Sequence, residues 1–175
     1  KTGINVSNVK QGGVLEQGAF FSNHNLTKNF MSPWNSPYNS DGSFALPATG
    51  LHNSLYTAKT SIRDNDLTRL MSNNSVSYKI SKDVVYNGGI SFDYTMNSYK
   101  GFNDAVHGDG VGVGGSASAS VSRNFNYVAQ NSIDYRLALG ENHKFDFKGL
   151  IEFQQNKLNF ISASGEVMPI GFTNV

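Results

Sequence analysis

The chain has 175 residues, a net charge of +1 and no cysteine. That is enough for one ordinary domain; the charge gives no pull toward nucleic acid or a polybasic membrane anchor, and the missing thiols exclude disulfides and thiolate metal sites. Charged residues are only 15% and apolar residues 38%, against roughly 25% charged in an average globular protein, so a soluble core rich in Leu, Ile and Val is not what this composition describes.

A first strand is predicted over about Thr2 to Lys10, with Ile4 and Val6 on one face and Asn5 and Ser7 on the other. Gln11 to Asp66 reads as a long loop rich in Gly, Asn, Ser and Pro. Within it, Met31-Ser32-Pro33-Trp34-Asn35-Ser36-Pro37-Tyr38 stands out. Proline stiffens the backbone, and rigid aromatics suit sugar stacking or a partner contact. Trp34 and Tyr38 are therefore the candidate ligand- or partner-contacting residues, with packing inside the loop as the plain alternative.

A second strand spans about Leu67 to Ile80, setting Leu70, Val76, Tyr78 and Ile80 against Asn73, Ser75, Ser77 and Lys79. A third spans about Val85 to Lys100, where Tyr86, Ile90, Phe92, Tyr94 and Met96 share one parity. Gly101 to Ser120 is a second long loop. The fourth strand, about Val121 to Leu139, has Phe125, Tyr127, Ala129, Ile133, Tyr135, Leu137 and Leu139 on one face. The fifth, about Lys144 to Ile161, sets Phe145, Phe147, Ile151 and Phe153 opposite Asp146, Lys148, Glu152 and Gln154. Its parity flips near Asn156 to Leu158, which a bulge would explain.

Short turns at Ser81-Lys82-Asp83 and Gly140-Glu141-Asn142-His143 alternate with the long loops, so short links share one end and long links the other. Strands two to five exceed the roughly 9–11 tilted residues that cross a bilayer, whereas soluble strands average about 5–6. Long strands with one apolar and one polar face, joined in this way, point to an all-β, antiparallel segment of a large transmembrane β-barrel with short periplasmic turns and long extracellular loops. The 8 Tyr and 12 Phe suit aromatic girdles at the membrane interfaces. No run approaches the roughly 18 apolar residues of a membrane helix. Five strands cannot close a barrel, for which about eight is the minimum, so residues 1–175 are expected to be part of a larger wall.

From Tyr99 onward the sequence resembles a known family. Tyr99-Lys100-Gly101-Phe102, His107-Gly108-Asp109-Gly110-Val111, Gly114-Gly115-Ser116-Ala117-Ser118 and Asn124-Phe125-Asn126-Tyr127 are similar to segments of SusC/RagA transporters, TonB-dependent outer-membrane proteins of Bacteroidetes. Leu139-Gly140-Glu141-Asn142-His143-Lys144-Phe145 resembles that family's turn into a strand, and Ile161-Ser162-Ala163-Ser164-Gly165-Glu166 the segment after it. Gly50-Leu51-His52-Asn53 and Asn65-Asp66-Leu67-Thr68-Arg69 are consistent with the same family. The resemblance implies an outer-membrane barrel occluded by an N-terminal plug, an energy-coupling segment that engages TonB, and a SusD-like surface lipoprotein at the extracellular mouth. It implies import of oligosaccharides or peptides. The plug, the coupling segment and most strands have no counterpart in this sequence, so only the barrel-wall role, in contact with the lipid bilayer, transfers to these residues.

Chemistry-bearing patterns are sparse. Gly108 to Gly115 lacks the preceding buried strand and following helix of a phosphate loop, and reads as a flexible loop. Asp104, His107 and Asp109 offer few oxygens for a calcium ion and read as a solvated loop. His24, His52, His107 and His143 are scattered without metal-ligand spacing, so no metal or other cofactor is expected. Asn5-Val6-Ser7, Asn25-Leu26-Thr27 and Asn73-Asn74-Ser75 match the glycosylation pattern, which has little weight in so Asn-rich a chain. No nucleophile elbow, carboxylate pair or Walker loop appears, and the expectation is a transporter segment rather than an enzyme. The alternative is a soluble extracellular β-sandwich that holds glycan with loop aromatics; it would need its apolar faces packed internally.

Overall fold

The computed structural model describes residues 1–13, 27, 29–32, 34–47, 51–140 and 142–169. Five strands form one antiparallel sheet in chain order: β1 (Thr2–Gly12), β2 (Ile62–Lys79), β3 (Val84–Asn103), β4 (Ser116–Leu139) and β5 (His143–Glu166). A short helix, α1 (Ser54–Thr60), precedes β2, and a single 3-10 turn (Val111–Val113) lies between β3 and β4. The chain is all-β, as its period-two patterning demands.

All five strands run longer than the alternation indicates. The second loop shrinks to Asp104–Gly115, because β3 continues to Asn103 and β4 begins at Ser116. The added residues, Gly101 to Asn103 and Ser116 to Ser120, lack a clean apolar parity, so periodicity could not find them. Specific bonds hold them instead. Arg63 donates to the Phe102 carbonyl at 2.9 Å and to Asn103 Oδ1 at 2.5 Å, and Asn103 Nδ2 donates to Ser116 Oγ at 3.0 Å. β5 passes through Asn156–Leu158 as one continuous strand.

The chain divides into two compact units. The strand unit comprises Lys1–Val9, Leu67–Met96 and Ser122–Asn159, and the loop unit Lys10–Asp66, Asn97–Val121 and Phe160–Val175.

In the strand unit the two faces carry different chemistry. On the polar parity a relay crosses four strands. Ser77 Oγ donates to Asn87 Oδ1 at 2.7 Å, Asn87 Nδ2 donates to Asp134 Oδ2 at 2.6 Å, and Lys148 Nζ stands 3.5 Å from Asp134. Arg69 grips Asp93 through two bonds, of 2.9 and 2.6 Å, Arg136 Nε donates to Asp146 at 2.8 Å, and Gln130 donates to Glu152. The partners of Gln130, Asp134 and Arg136 run backward along β5, which is the antiparallel register.

On the apolar parity, rings meet rings. Phe125 lies 6.4 Å from Phe92, 6.5 Å from Tyr94 and 5.9 Å from Tyr127, which in turn lies 5.7 Å from Phe153. Farther along β4, Tyr135 stacks on Phe147 at 6.2 Å. Between the two clusters Tyr86 folds back over Gly88, where a Cβ would come within 2.6 Å of its hydroxyl, and donates to Asn131 Oδ1 at 2.6 Å. The Asn131 amide on this stretch of the apolar face is thereby bonded.

Almost none of this apolar surface is covered. Among the described residues only Phe102 and Ala117 are buried hydrophobics, and both belong to the loop unit. Ile4, Val76, Tyr78, Ile90, Ile133, Phe147 and Ile151 are all exposed. A sheet face of this composition is stable only if something apolar covers it.

Candidate functional site: the Asn53 frame and the Trp34 cavity

The loop unit contains what the sequence reading passed over: a hydrogen-bonded frame centred on Asn53, which is 2% exposed. Asn53 is the N-cap of α1, and its Oδ1 accepts from the backbone N–H groups of Leu55 and Tyr56 at 3.1 and 3.4 Å. Asparagine is favoured there because its short carbonyl satisfies donors that have no partner inside the helix. The same side chain donates from Nδ2 to the Pro37 carbonyl at 2.7 Å and the Ala45 carbonyl at 2.9 Å. Its backbone N–H donates to His107 Nε2 at 2.8 Å. One residue thus ties together the 37–45 segment, the helix and the loop after β3.

The 37–45 segment is a small hairpin. Tyr38 and Phe44 form a bridge, Asn39 and Ser43 close the turn at 2.8 Å, and Gly42 takes the left-handed conformation that the turn requires (φ 82°). Asp41 accepts from the hydroxyl and N–H of Ser43 at 2.6 and 2.9 Å, which holds its carboxyl below the usual carboxylate range. Tyr38 packs on Phe44 with ring centroids 5.3 Å apart, and Phe44 meets the Tyr56 ring edge-on at 5.6 Å.

The loop after β3 supplies the other side of the frame. The Tyr56 hydroxyl donates to Asp104 Oδ2 at 2.6 Å; desolvation first, and the Asp104 carboxylate second, push that hydroxyl up to about 12. The Val106 N–H donates to the same oxygen at 3.1 Å. His107 is buried, and its ring meets those of His52 at 5.1 Å and Tyr56 at 5.6 Å. Burial is the main cause of a lowered His107 pKa, helped by His52 and opposed by Asp104. His52 stands 4.0 Å from Asp109.

These positions correct two expectations. Asp104 and His107 are buried and engaged, not part of a solvated loop, and no cluster of three or more metal-ligating side chains forms among the described residues. The glycine run is closely packed: a Cβ on Gly110 would strike the Asp104 carbonyl oxygen, and Gly115, at φ 87°, has Ala105 and Met168 within 3.3 Å of where a Cβ would lie. Its amides turn inward, with Val113 donating to the Gly110 carbonyl at 3.2 Å and Gly115 to the same oxygen at 2.8 Å, leaving no cradle for phosphate. The structure also brings together two of the scattered histidines, His52 and His107. His143 opens β5, and His24 lies outside the described residues, as do Asn25, Leu26, Gly50 and Glu141. Asn5 and Asn73 sit within β1 and β2.

Trp34 and Tyr38 part company. Tyr38 is committed to the hairpin, whereas Trp34 is 82% exposed on a turn closed by the Asn35 N–H bond to the Ser32 carbonyl at 3.0 Å. Trp34 borders an open cavity of about 580 Å³, whose wall includes Met31, Pro37, Leu46, Leu51 and Asn53. The arrangement offers a free indole beside polar and apolar wall groups on a cross-braced frame. Behind it, His107 accepts from Asn53 and Tyr56 donates to Asp104, so these polar groups are engaged within the frame. An asparagine three positions after the loop's last glycine, followed by Leu55-Tyr56 and with Lys59 in the last turn, was the available sign of a capped helix.

No protein-family model matches the chain, and neither does any curated protein.

Proposed function

We propose that the chain is a stretch of the wall of an outer-membrane β-barrel, belonging to a TonB-dependent transporter of the SusC/RagA type. The carrying observation is the uncovered apolar face of a five-stranded sheet whose opposite face carries polar and charged side chains bonded from strand to strand. Lipid is the environment that satisfies the first face and a water-filled lumen the second. The spacing of the aromatic clusters supports this. Tyr127 and Tyr135 are eight residues apart on β4, about 26 Å at roughly 3.3 Å per residue, or about 20 Å across the membrane at a tilt near 40°. That is close to the apolar band of about 25 Å between aromatic girdles. Both outer strands of the sheet also need neighbours, which further barrel strands supply.

In this reading the Trp34 cavity belongs to the extracellular loops, where oligosaccharide or peptide cargo and a SusD-like lipoprotein would be met, and TonB acts through parts of the transporter beyond these residues. The wall does no chemistry. The soluble glycan-binding sandwich would need a second sheet over the apolar face, and the described residues form one sheet. Fractionation of native cells tests the proposal: the protein is expected with the outer membrane and is released only by detergent. Recovery as a monodisperse protein in detergent-free buffer would refute it.

A further inference from the structure

His107 accepts a hydrogen bond from the buried Asn53 N–H on Nε2, so this nitrogen must be unprotonated while the frame is intact. A second proton on the imidazole would set a donor against a donor, in a place where water cannot take over either bond. The residue thus disturbed, Asn53, carries four side-chain bonds to three other places in the loop unit and borders the Trp34 cavity.

We propose that His107 is a pH-sensed pin: taking a proton on Nε2 releases the Asn53 amide, and the hairpin and helix that Asn53 joins loosen around the Trp34 cavity. The groups around His107 set how this plays out. From α1 comes Tyr56, its hydroxyl bonded to Asp104; from the segment before α1 comes His52; the loop after β3 contributes Asp104 and, beyond His52, Asp109. Lys59, also on α1, lies over the Phe44 ring, 5.6 Å from its centroid. Asp104 favours the protonated ring, but burial and His52 oppose it more strongly.

The direction follows. The ordinary histidine value is 6.5, and the folded value lies below it, so between the two the unfolded frame binds more protons than the folded one. The contribution of His107 to the frame is complete above about 6.5 and falls away as the pH drops toward the folded value. One linked proton limits the change to about tenfold in the opening equilibrium per pH unit.

The test is hydrogen exchange of the native protein, in detergent micelles or, if it is recovered without detergent, in plain buffer, from pH 7.5 to 5, corrected for the pH dependence of intrinsic exchange. Amides of 38–45 and 53–57 should lose protection toward tenfold per pH unit below the ordinary histidine value, while those of β3 and β4 in the strand unit stay level. In His107→Gln, which keeps an acceptor that does not titrate, the loss should disappear. In His52→Gln it should persist and begin at higher pH, because one opposing charge has gone. Level protection in the wild-type protein would overturn the proposal, and so would a flat profile in His52→Gln, which would make His52 the sensor. If His107→Gln does not fold, the wild-type and His52→Gln profiles decide alone. The test does not depend on the barrel reading, since the frame lies wholly within the loop unit.

Discussion

The strand unit and the loop unit are built on opposite principles. In the strand unit many residues do the same thing: every second side chain joins a polar ladder or an apolar face, and each contributes a little. In the loop unit one residue, Asn53, makes four side-chain bonds and caps α1. Redundant order tolerates the loss of a member, whereas order that converges on a single side chain does not.

The sharpest way to break that comparison is Asn53→Ala. Four hydrogen bonds at about 1 kcal/mol each put the local loss near 4 kcal/mol, with the Pro37 and Ala45 carbonyls left short of a donor. Exchange protection should collapse in 38–45 and 54–60 and hold in β3 and β4. Uniform loss throughout the chain would mean that the loop unit has no separate stability.

Next in size is a contrast within one strand. Ile133, half-exposed on the apolar parity of β4, should not tolerate arginine: about 2–4 kcal/mol is expected if it lies near the bilayer midplane. Phe92→Arg should behave alike. Gln130→Arg, on the other parity and opposite Glu152, should stay within about 0.5 kcal/mol. Folding into lipid vesicles followed by urea titration measures all three. Equal tolerance at Ile133 and Gln130 would remove the case for a lipid-facing side.

This contrast also shows why one unit could be read from the sequence and the other could not. Facing follows from parity, so Phe92, Phe125, Tyr127 and Phe153 could each be assigned to the apolar face of its strand from spacing alone. The ends of β3 and β4 could not, because Arg63 holds Asn103 across 40 positions of sequence. The frame is less legible still. Asn53 and His107 are 54 residues apart, and nothing local in either segment announces the other. Only the helix start had a local sign, in Asn53 itself. Trp34 and Tyr38 were singled out for the same reason, rigid aromatics between prolines, and the difference between them lies in Phe44, a partner that composition does not reveal.

A smaller effect is expected for the Arg69–Asp93 pair. Its geometry is bidentate, but both side chains reach solvent, so a double-mutant cycle with Arg69→Ala and Asp93→Ala should give a small coupling that shrinks in high salt. A coupling several times larger would place this part of the polar face out of contact with water, against a water-filled lumen.

The smallest stability effect should come from the most conspicuous residue. Trp34→Ala removes a side chain that is 82% exposed, so the frame should change by no more than about 0.5 kcal/mol. Tyr38→Ala removes the ring contact with Phe44 and should cost about 0.5–1.5 kcal/mol for that contact. Binding of oligosaccharide and peptide probes should rank the two substitutions the other way, with Trp34→Ala the more damaging. A large exposed indole contributes nothing to the fold that would account for its place beside the cavity. If Trp34→Ala binds every probe as the wild type does, cargo contact at this cavity is excluded for those probe classes, and a partner protein becomes the better reason for the exposed ring.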